Sequence, residues 1–499
     1  MTHIQGGHPT VVIVGSGFSG LCAAIKLKSA GIDDFVILEK DADVGGTWRD
    51  NTYPGAACDV PSVLYSYSFR QNPDWTRHFP SWDELHAYLR QVVDVYELGP
   101  HLRFGIEVEE MRFDETSCAW TVSTAAGESI RTRFVVNATG VLSKPVVPEI
   151  SGLETFDGKA FHSAQWDHDH DFTGRHVAVI GTGASAVQFV PHLAEQAEKL
   201  YVFQRSPHWV TPRGDAEIPE RRRRLYRRMP LVQRLRRWAT YWEFETLARG
   251  FLGHPKVVEG YRQRAMAFLK DSVPDEALRD ALTPDYAPGC KRRLVSDDWF
   301  PALQRSNVEL VTSGLREITA DSVVASDGSS HRVDTIVFGT GFAATDFLAP
   351  MKVFGRDGVE ISDAWKDGAA TKLGISASAF PNFFMMLGPN TALGHNSMVF
   401  MIEAQTRYIV GAIKHARAKG IRALELRPEV QASAYRKTQR LMKKTVWVSG
   451  GCRSWYQSAD GRIDTLWPAT TVSYWWQTKR FRPGDYRIAG GTRTNRSAG

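Results

Sequence analysis

Four apolar residues in succession, Val11 to Val14, run directly into Gly15-Ser16-Gly17-Phe18-Ser19-Gly20, and a helical pattern follows with Leu21, Ala24, Ile25 and Leu27 on one side. An unbroken run of β-branched residues predicts a strand covered on both faces, as in a parallel sheet. A second run, Phe35 to Leu38, ends in Glu39, about 20 residues beyond the glycines. The same succession returns later. His176 to Ile180 leads into Gly181-Thr182-Gly183-Ala184-Ser185-Ala186, and a further strand, Leu200 to Phe203, ends in Gln204-Arg205-Ser206. Two more strands, Phe134 to Asn137 before Ala138-Thr139-Gly140 and Thr335 to Phe338 before Gly339-Thr340-Gly341-Phe342, are each expected to close one repeat. Between Thr211 and Pro288 the strand pattern gives way to helices, with Leu225, Met229, Val232 and Leu235 at three- and four-residue spacing.

These elements predict an α/β protein with two Rossmann-like dinucleotide-binding domains and a helical insertion in the second. The expected division is a first domain in two parts, 1–150 and 347–499, around a second at 151–346 whose insertion covers about 212–288. Pro145 and Pro148 mark a first crossover after Gly140, and a second is expected after Phe342. The 499 residues fit this plan with little left for another module.

The glycine spacing has a chemical reading. Gly15 permits a tight turn, Gly17 lets the backbone approach a pyrophosphate, Gly20 lets helix and strand pack closely, and the helix N-terminus offers amides to phosphates. Phe18 opens that helix. Glu39 can accept hydrogen bonds from a ribose diol, which suits FAD or NAD. In the second unit Gly181, Gly183, Ala184 and Ser185 form the turn, and Arg205 with Ser206 replaces the acid. An arginine beside a hydroxyl can hold the 2′-phosphate that a carboxylate would repel, so this unit suits NADP.

Composition narrows the partners. The net charge is +6, yet nine arginines (221–224, 227, 228, 234, 236 and 237) lie in one acid-free stretch, so the rest of the chain is net acidic. This basic segment is expected on the helical insertion, where it can draw in NADPH or touch a membrane surface weakly at its periphery. No nucleic-acid motif accompanies it. The five cysteines are odd in number and far apart without a C-x-x-C pair, which predicts a reduced cytoplasmic chain and no metal centre. No run reaches the roughly 18 apolar residues of a membrane span, and the polar first ten residues lack a signal-peptide core.

Longer spaced patterns are more specific. Phe156, Gly158, His162, Trp166 and Asp167 follow F-x-G-x-x-x-H-x-x-x-W-[P/D], and Gly45, Gly46, Trp48, Tyr53, Pro54, Gly55 and Asp59 follow a second, flavin-side pattern. In both, and in their order beside two nucleotide units, the chain resembles the flavin-dependent Baeyer-Villiger monooxygenases along nearly its whole length. Cys452-Arg453-Ser454-Trp455-Tyr456 with Gly461-Arg462, and Leu387 to Thr391 with Gly394 to Ser397, resemble the branch that includes hydroxyacetophenone monooxygenases.

That resemblance implies FAD, NADPH and O2 as reactants with a small ketone, expected to be aryl or open-chain, and a C4a-peroxyflavin attacking its carbonyl. The family's active-site arginine maps onto Arg292 in Gly289-Cys290-Lys291-Arg292-Arg293, where Arg293 stands at a position relatives fill with an apolar residue. Lys291 then assists Arg205 at the 2′-phosphate, and Asp59 is the carboxylate that orients Arg292. Trp48, with Gly46 and Thr47, is expected against the isoalloxazine, Trp455 near the nicotinamide-side ribose, and Gly341 at the second crossover. His162 is expected to fix the interdomain linker, with Trp166 packed beneath it, rather than to act as a base. A flavin monooxygenase oxidising nitrogen or sulfur is the alternative, and it does not require the Asp59 and Arg292 pair.

Overall fold

The computed structural model describes residues 8–458 and 460–489. Two five-stranded parallel sheets dominate it. In the first, Val11–Val14 lies in the centre, with Phe35–Leu38 and then Leu102–Arg103 on one side and Phe134–Asn137 and then Phe383–Met385 on the other. In the second, His176–Ile180 takes the centre, flanked by Lys199–Phe203 and Val308–Val311 on one side and by Thr335–Phe338 and Lys159–His162 on the other. The two sheets have the same plan. Their outermost strands differ in origin, since 383–385 joins the first sheet after the second crossover and 159–162 joins the second after the first.

The apolar runs are buried on both faces, as their composition requires. Val11, Val12 and Ile13 are fully buried, as are Val177, Ala178 and Val179. Each sheet also carries an antiparallel meander inserted before its closing strand, 108–132 in one case and 315–332 in the other. The two crossovers run side by side, with the Val146 N–H donating to the Gly341 carbonyl at 2.9 Å. The fingerprint residues fix this region. Gly158 has no room for a Cβ, which would lie 2.4 Å from the Asp334 carbonyl and 2.6 Å from the Phe156 ring.

Helices Glu220–Arg228, Pro230–Phe251, Pro255–Ser272 and Glu276–Leu282 occupy the insertion. The spaced residues Leu225, Met229, Val232 and Leu235 do not form one continuous buried face. Met229 precedes Pro230, which disfavours helical backbone at that position, and it sits at φ −132°, ψ 75° between two helices. Leu225, Met229 and Leu235 are exposed. Among the described residues, no helix is long and apolar enough to cross a membrane.

The expectation of five unpaired, reduced cysteines is corrected. Cys290 and Cys452 form a disulfide across 162 residues of sequence, while Cys22, Cys58 and Cys118 remain free thiols. Local spacing could not show it, because the fold alone brings the two segments together.

Candidate active site

The two central strands each end in a cradle. Gly15 turns at φ +100°, and a Cβ there would lie 2.7 Å from the Ala138 carbonyl; Gly181 repeats this at φ +107° and 2.6 Å from the Gly339 carbonyl. Beyond each turn space opens. A Cβ on Gly17 would meet nothing nearer than 3.9 Å, and one on Gly183 nothing within 4 Å, so both cradles can admit a pyrophosphate. Helix Phe18–Lys28 begins over the first cradle, with Gly20 packed on the turn. Helix Ala186–Gln196 begins over the second, after exposed Ala184 and half-buried Ser185.

Glu39 is buried beside the first cradle. One carboxylate oxygen accepts from the Ser16 N–H at 2.9 Å and its hydroxyl at 2.7 Å, and the other lies 3.2 Å from the Arg49 guanidinium. That second oxygen also accepts from the Asp41 N–H at 3.2 Å, so a ribose diol would take the place of the Ser16 hydroxyl. Gly46 and Thr47 lead into the short helix Thr47–Asp50, where half-buried Trp48 meets Tyr65 edge-to-face at 5.6 Å and Tyr65 meets Phe18 at 5.3 Å.

Beside the second cradle the charge is reversed. Lys291 donates to the Ser206 hydroxyl at 2.5 Å, and exposed Arg205 stands close enough to depress the lysine's pKa, after burial, which is the larger cause. The same two cations and burial push His208 down to about 4, with burial dominant. Such a cluster fits a dianion, and a carboxylate like Glu39 does not occupy it. Tyr286 ties the two segments together, its hydroxyl donating to the Pro207 carbonyl at 2.8 Å.

Between the cradles, Arg292 meets Asp59. The guanidinium donates to one Asp59 oxygen through Nε at 3.0 Å and also through Nη2, while Nη1 lies 3.4 Å from the Leu393 carbonyl. Burial pushes the Asp59 carboxyl up, but the charge and hydrogen bonds of Arg292, with Arg293 beyond, more than offset it and hold the group below the usual carboxylate range. Arg292 is in turn raised, chiefly by Asp59. Both side chains keep about a third of their surface exposed, at 32% and 29%. Arg293 points elsewhere, its guanidinium 5.0 Å from the Tyr261 ring and 5.5 Å from Phe251.

The loop bearing Asp59 is fastened to the second unit. Gln188, in the helix after Gly183, accepts from the Tyr53 hydroxyl at 3.0 Å and donates to the Ala57 carbonyl at 2.9 Å. On the other side, the disulfide joins Cys290, two residues before Arg292, to the segment holding Tyr456. Tyr456 is buried within electrostatic reach of Arg292, and Trp455 beside it is exposed and packs on its ring at 4.3 Å. Tyr456, Leu393 and Gln188 received no role from the sequence, since their spacing carries no signal.

The remaining fingerprint residues cluster at the linker. His162 is buried, its Nδ1 accepts the Ala164 N–H at 3.1 Å, and burial lowers its pKa, so it is neutral and held at a helical turn. Trp166 packs among Tyr53, Phe161, Phe172 and Phe189, and Asp167 pairs with Lys159. None of these touches Arg292 or Asp59.

Two dinucleotide cradles of opposite charge, facing a shared arginine and carboxylate, define an oxidoreductase frame. Comparison with known proteins sharpens the class. The family described as pyridine nucleotide-disulphide oxidoreductase matches residues 12–227. A Baeyer-Villiger monooxygenase of Streptomyces coelicolor is 46% identical over 482 residues, covering 96% of this chain and 93% of that protein. Among solved structures, oxidized steroid monooxygenase bound to NADP superposes with a TM-score of 0.86 at 30% identity, covering 96% of this chain and 99% of the other. OTEMO in complex with FAD and NADP gives 0.85 at 26% identity, covering 96% and 99%. The chain belongs to the Baeyer-Villiger monooxygenase family.

Proposed function

We propose that this protein uses NADPH and O2 to convert ketones into esters or lactones, with FAD in the cradle at Gly15, Gly17, Phe18 and Gly20 and NADP at Gly181, Gly183, Ala184 and Ser185. The division into 1–150 with 347–499 for FAD and 151–346 for NADP follows the same reading. The observation that carries it is the Arg292 and Asp59 pair between two cradles of opposite charge. FAD, when bound, supplies the two-electron reduction of dioxygen that inserts one oxygen atom beside a carbonyl.

The chain's own residues then have distinct work. Arg292 offers several donors and stays positive at any working pH, so it can stabilise anionic oxygen at the reacting carbonyl. Asp59 positions it through Nε and Nη2, and Nη1, which rests on the Leu393 carbonyl, is the donor left to turn to the reacting oxygen. Arg205, Ser206 and Lys291 select the 2′-phosphate, and Glu39 holds the flavin-side ribose. Thr47 and Trp48 line the flavin edge, Gly46 and Gly341 leave backbone room beside the cofactors, and Trp455 faces the nicotinamide side. Phe156, Gly158, His162, Trp166 and Asp167 fix the linker between the units, and Gln188 sets the distance between Asp59 and the NADP helix.

The substrate class we infer is aryl or open-chain ketones, supported by the hydroxyacetophenone-like segments 387–397 and 452–462. The working compartment we infer is the cytoplasm. The reaction is tested by following NADPH oxidation in the FAD-loaded enzyme with acetophenone and a broad ketone panel. Ester or lactone is the expected product; none from any ketone, alongside efficient sulfide oxidation, would replace this reading with nitrogen or sulfur oxidation.

A further inference from the structure

Helix Pro230–Phe251 departs from the usual amphipathic pattern. Three of its polar residues are turned to the protein. Gln233 donates to the Asn72 carbonyl at 2.6 Å, Arg237 to the Val63 and Leu64 carbonyls at 2.8 and 3.0 Å, and Glu245 accepts from Asn396 and Thr471. Four of its large apolar residues face outward, while Tyr241, Phe244 and Phe251 pack inward. Leu231, Leu235, Trp238 and Trp242 are 64, 59, 63 and 42% exposed. At about 100° per residue they fall on one stripe roughly 60° wide.

The charge around the stripe is mainly positive, with exposed Glu243 the one acid on the outer face of this helix. Among the described residues Arg221, Arg222, Arg228, Arg234 and Arg236 form no ion pair, although Arg223, Arg224 and Arg227 reach Glu220. A second copy of this chain laid on the stripe would bring like charges together. An anionic, partly apolar surface satisfies both features, because leucine and tryptophan enter the headgroup boundary while arginines meet phosphates.

We propose that the outer face of helices Glu220–Arg228 and Pro230–Phe251 docks on anionic phospholipid bilayers. The helix also reaches the site. Its last residue, Phe251, packs against both Gly289, three residues before Arg292, and Gly394, next to Leu393. A helix lying on lipid thus continues into the wall of the cleft, where a lipid-dissolved ketone would enter. The docking itself does not depend on the proposed reaction, because binding is read without turnover.

The test is co-sedimentation of the FAD-loaded protein with vesicles of phosphatidylglycerol and phosphatidylcholine against phosphatidylcholine alone. At least tenfold more protein on the anionic vesicles is expected, weakened by salt. Two variant sets should each lower that binding at least fivefold with FAD content retained: Leu231→Gln/Leu235→Gln/Trp238→Gln/Trp242→Gln and Arg228→Gln/Arg234→Gln/Arg236→Gln. Absence of vesicle binding, or binding indifferent to the apolar set, would overturn the proposal. A dimer in sedimentation velocity that the apolar set dissociates would assign the stripe to a second copy instead. Binding to duplex DNA stronger than to vesicles and unchanged in the apolar set would assign the arginines to nucleic acid.

Discussion

At the scale of single residues, the account turns on which arginine faces the carboxylate. Arg292 and Arg293 are adjacent, yet their side chains diverge, one to Asp59 and the other onto the Tyr261 and Phe251 rings. Removing the first guanidinium takes away the donor for anionic oxygen but leaves both cradles intact. Arg292→Ala is therefore expected to lower ester formation about 10²–10³-fold, while stopped-flow reduction of the flavin by NADPH stays within about threefold. An unaffected product rate would show the role was misplaced. The phosphate cluster gives a second prediction. Arg205→Ala should raise KM for NADPH about 10–100-fold, as loss of one charged hydrogen bond implies, with KM for NADH nearly unchanged in steady-state assays. Arg205 was legible from its place at a strand end. The divergence of Arg292 from Arg293 was not, because it depends on rings contributed by the helical insertion.

At the scale of elements, helix Pro230–Phe251 shows where periodicity stops being informative. The spacing of apolar residues announced helices, and two are present, parted at Met229. Periodicity finds a stripe, but it cannot say whether protein or another phase lies against it. Here Glu245 is buried although it lies beside the exposed stripe, because it has its partners in the segment after Leu393 and at the start of helix Thr471–Thr478. Burial pushes the Glu245 carboxyl up, but His395 at 3.5 Å and the hydrogen bonds from Thr471 and Asn396 prevail and bring it to about 2. A folded-state pKa below the ordinary value stabilises the protein above about pH 4.5, and that contribution is lost as pH falls toward 2. Its size is on the order of 3 kcal/mol. Glu245→Gln should accordingly lower Tm by roughly 2–5 °C at pH 7, with the gap from the parent protein closing as the pH is brought down through this range. A gap independent of pH in scanning calorimetry would contradict the assignment.

At the scale of the whole molecule, two copies of one sheet plan are joined by paired crossovers, and Asp59 lies within electrostatic reach of both Tyr65 beside the first cradle and Tyr53 beside the second. The duplicated strand, turn and helix pattern was visible along the chain because parallel strands buried on both faces must be apolar throughout. The edge strands 159–162 and 383–385 were not, being short and set by pairing rather than composition. Nor was the disulfide, whose partners meet only once the helical insertion packs on the C-terminal segment. Thiol titration in denaturant should find three thiols before reduction and five after, from Cys22, Cys58 and Cys118 and then the Cys290 and Cys452 pair. Five before reduction would remove the tether between the Arg292 loop and the Tyr456 segment. In the proposed reaction one atom of dioxygen enters a ketone beside its carbonyl at the Arg292 and Asp59 pair. Its most direct test is product mass after turnover of the FAD-loaded enzyme with NADPH, acetophenone and ¹⁸O2. An ester carrying a single heavy oxygen is the predicted result, and a ketone recovered unchanged across a broad panel, or an ester without label, would contradict it.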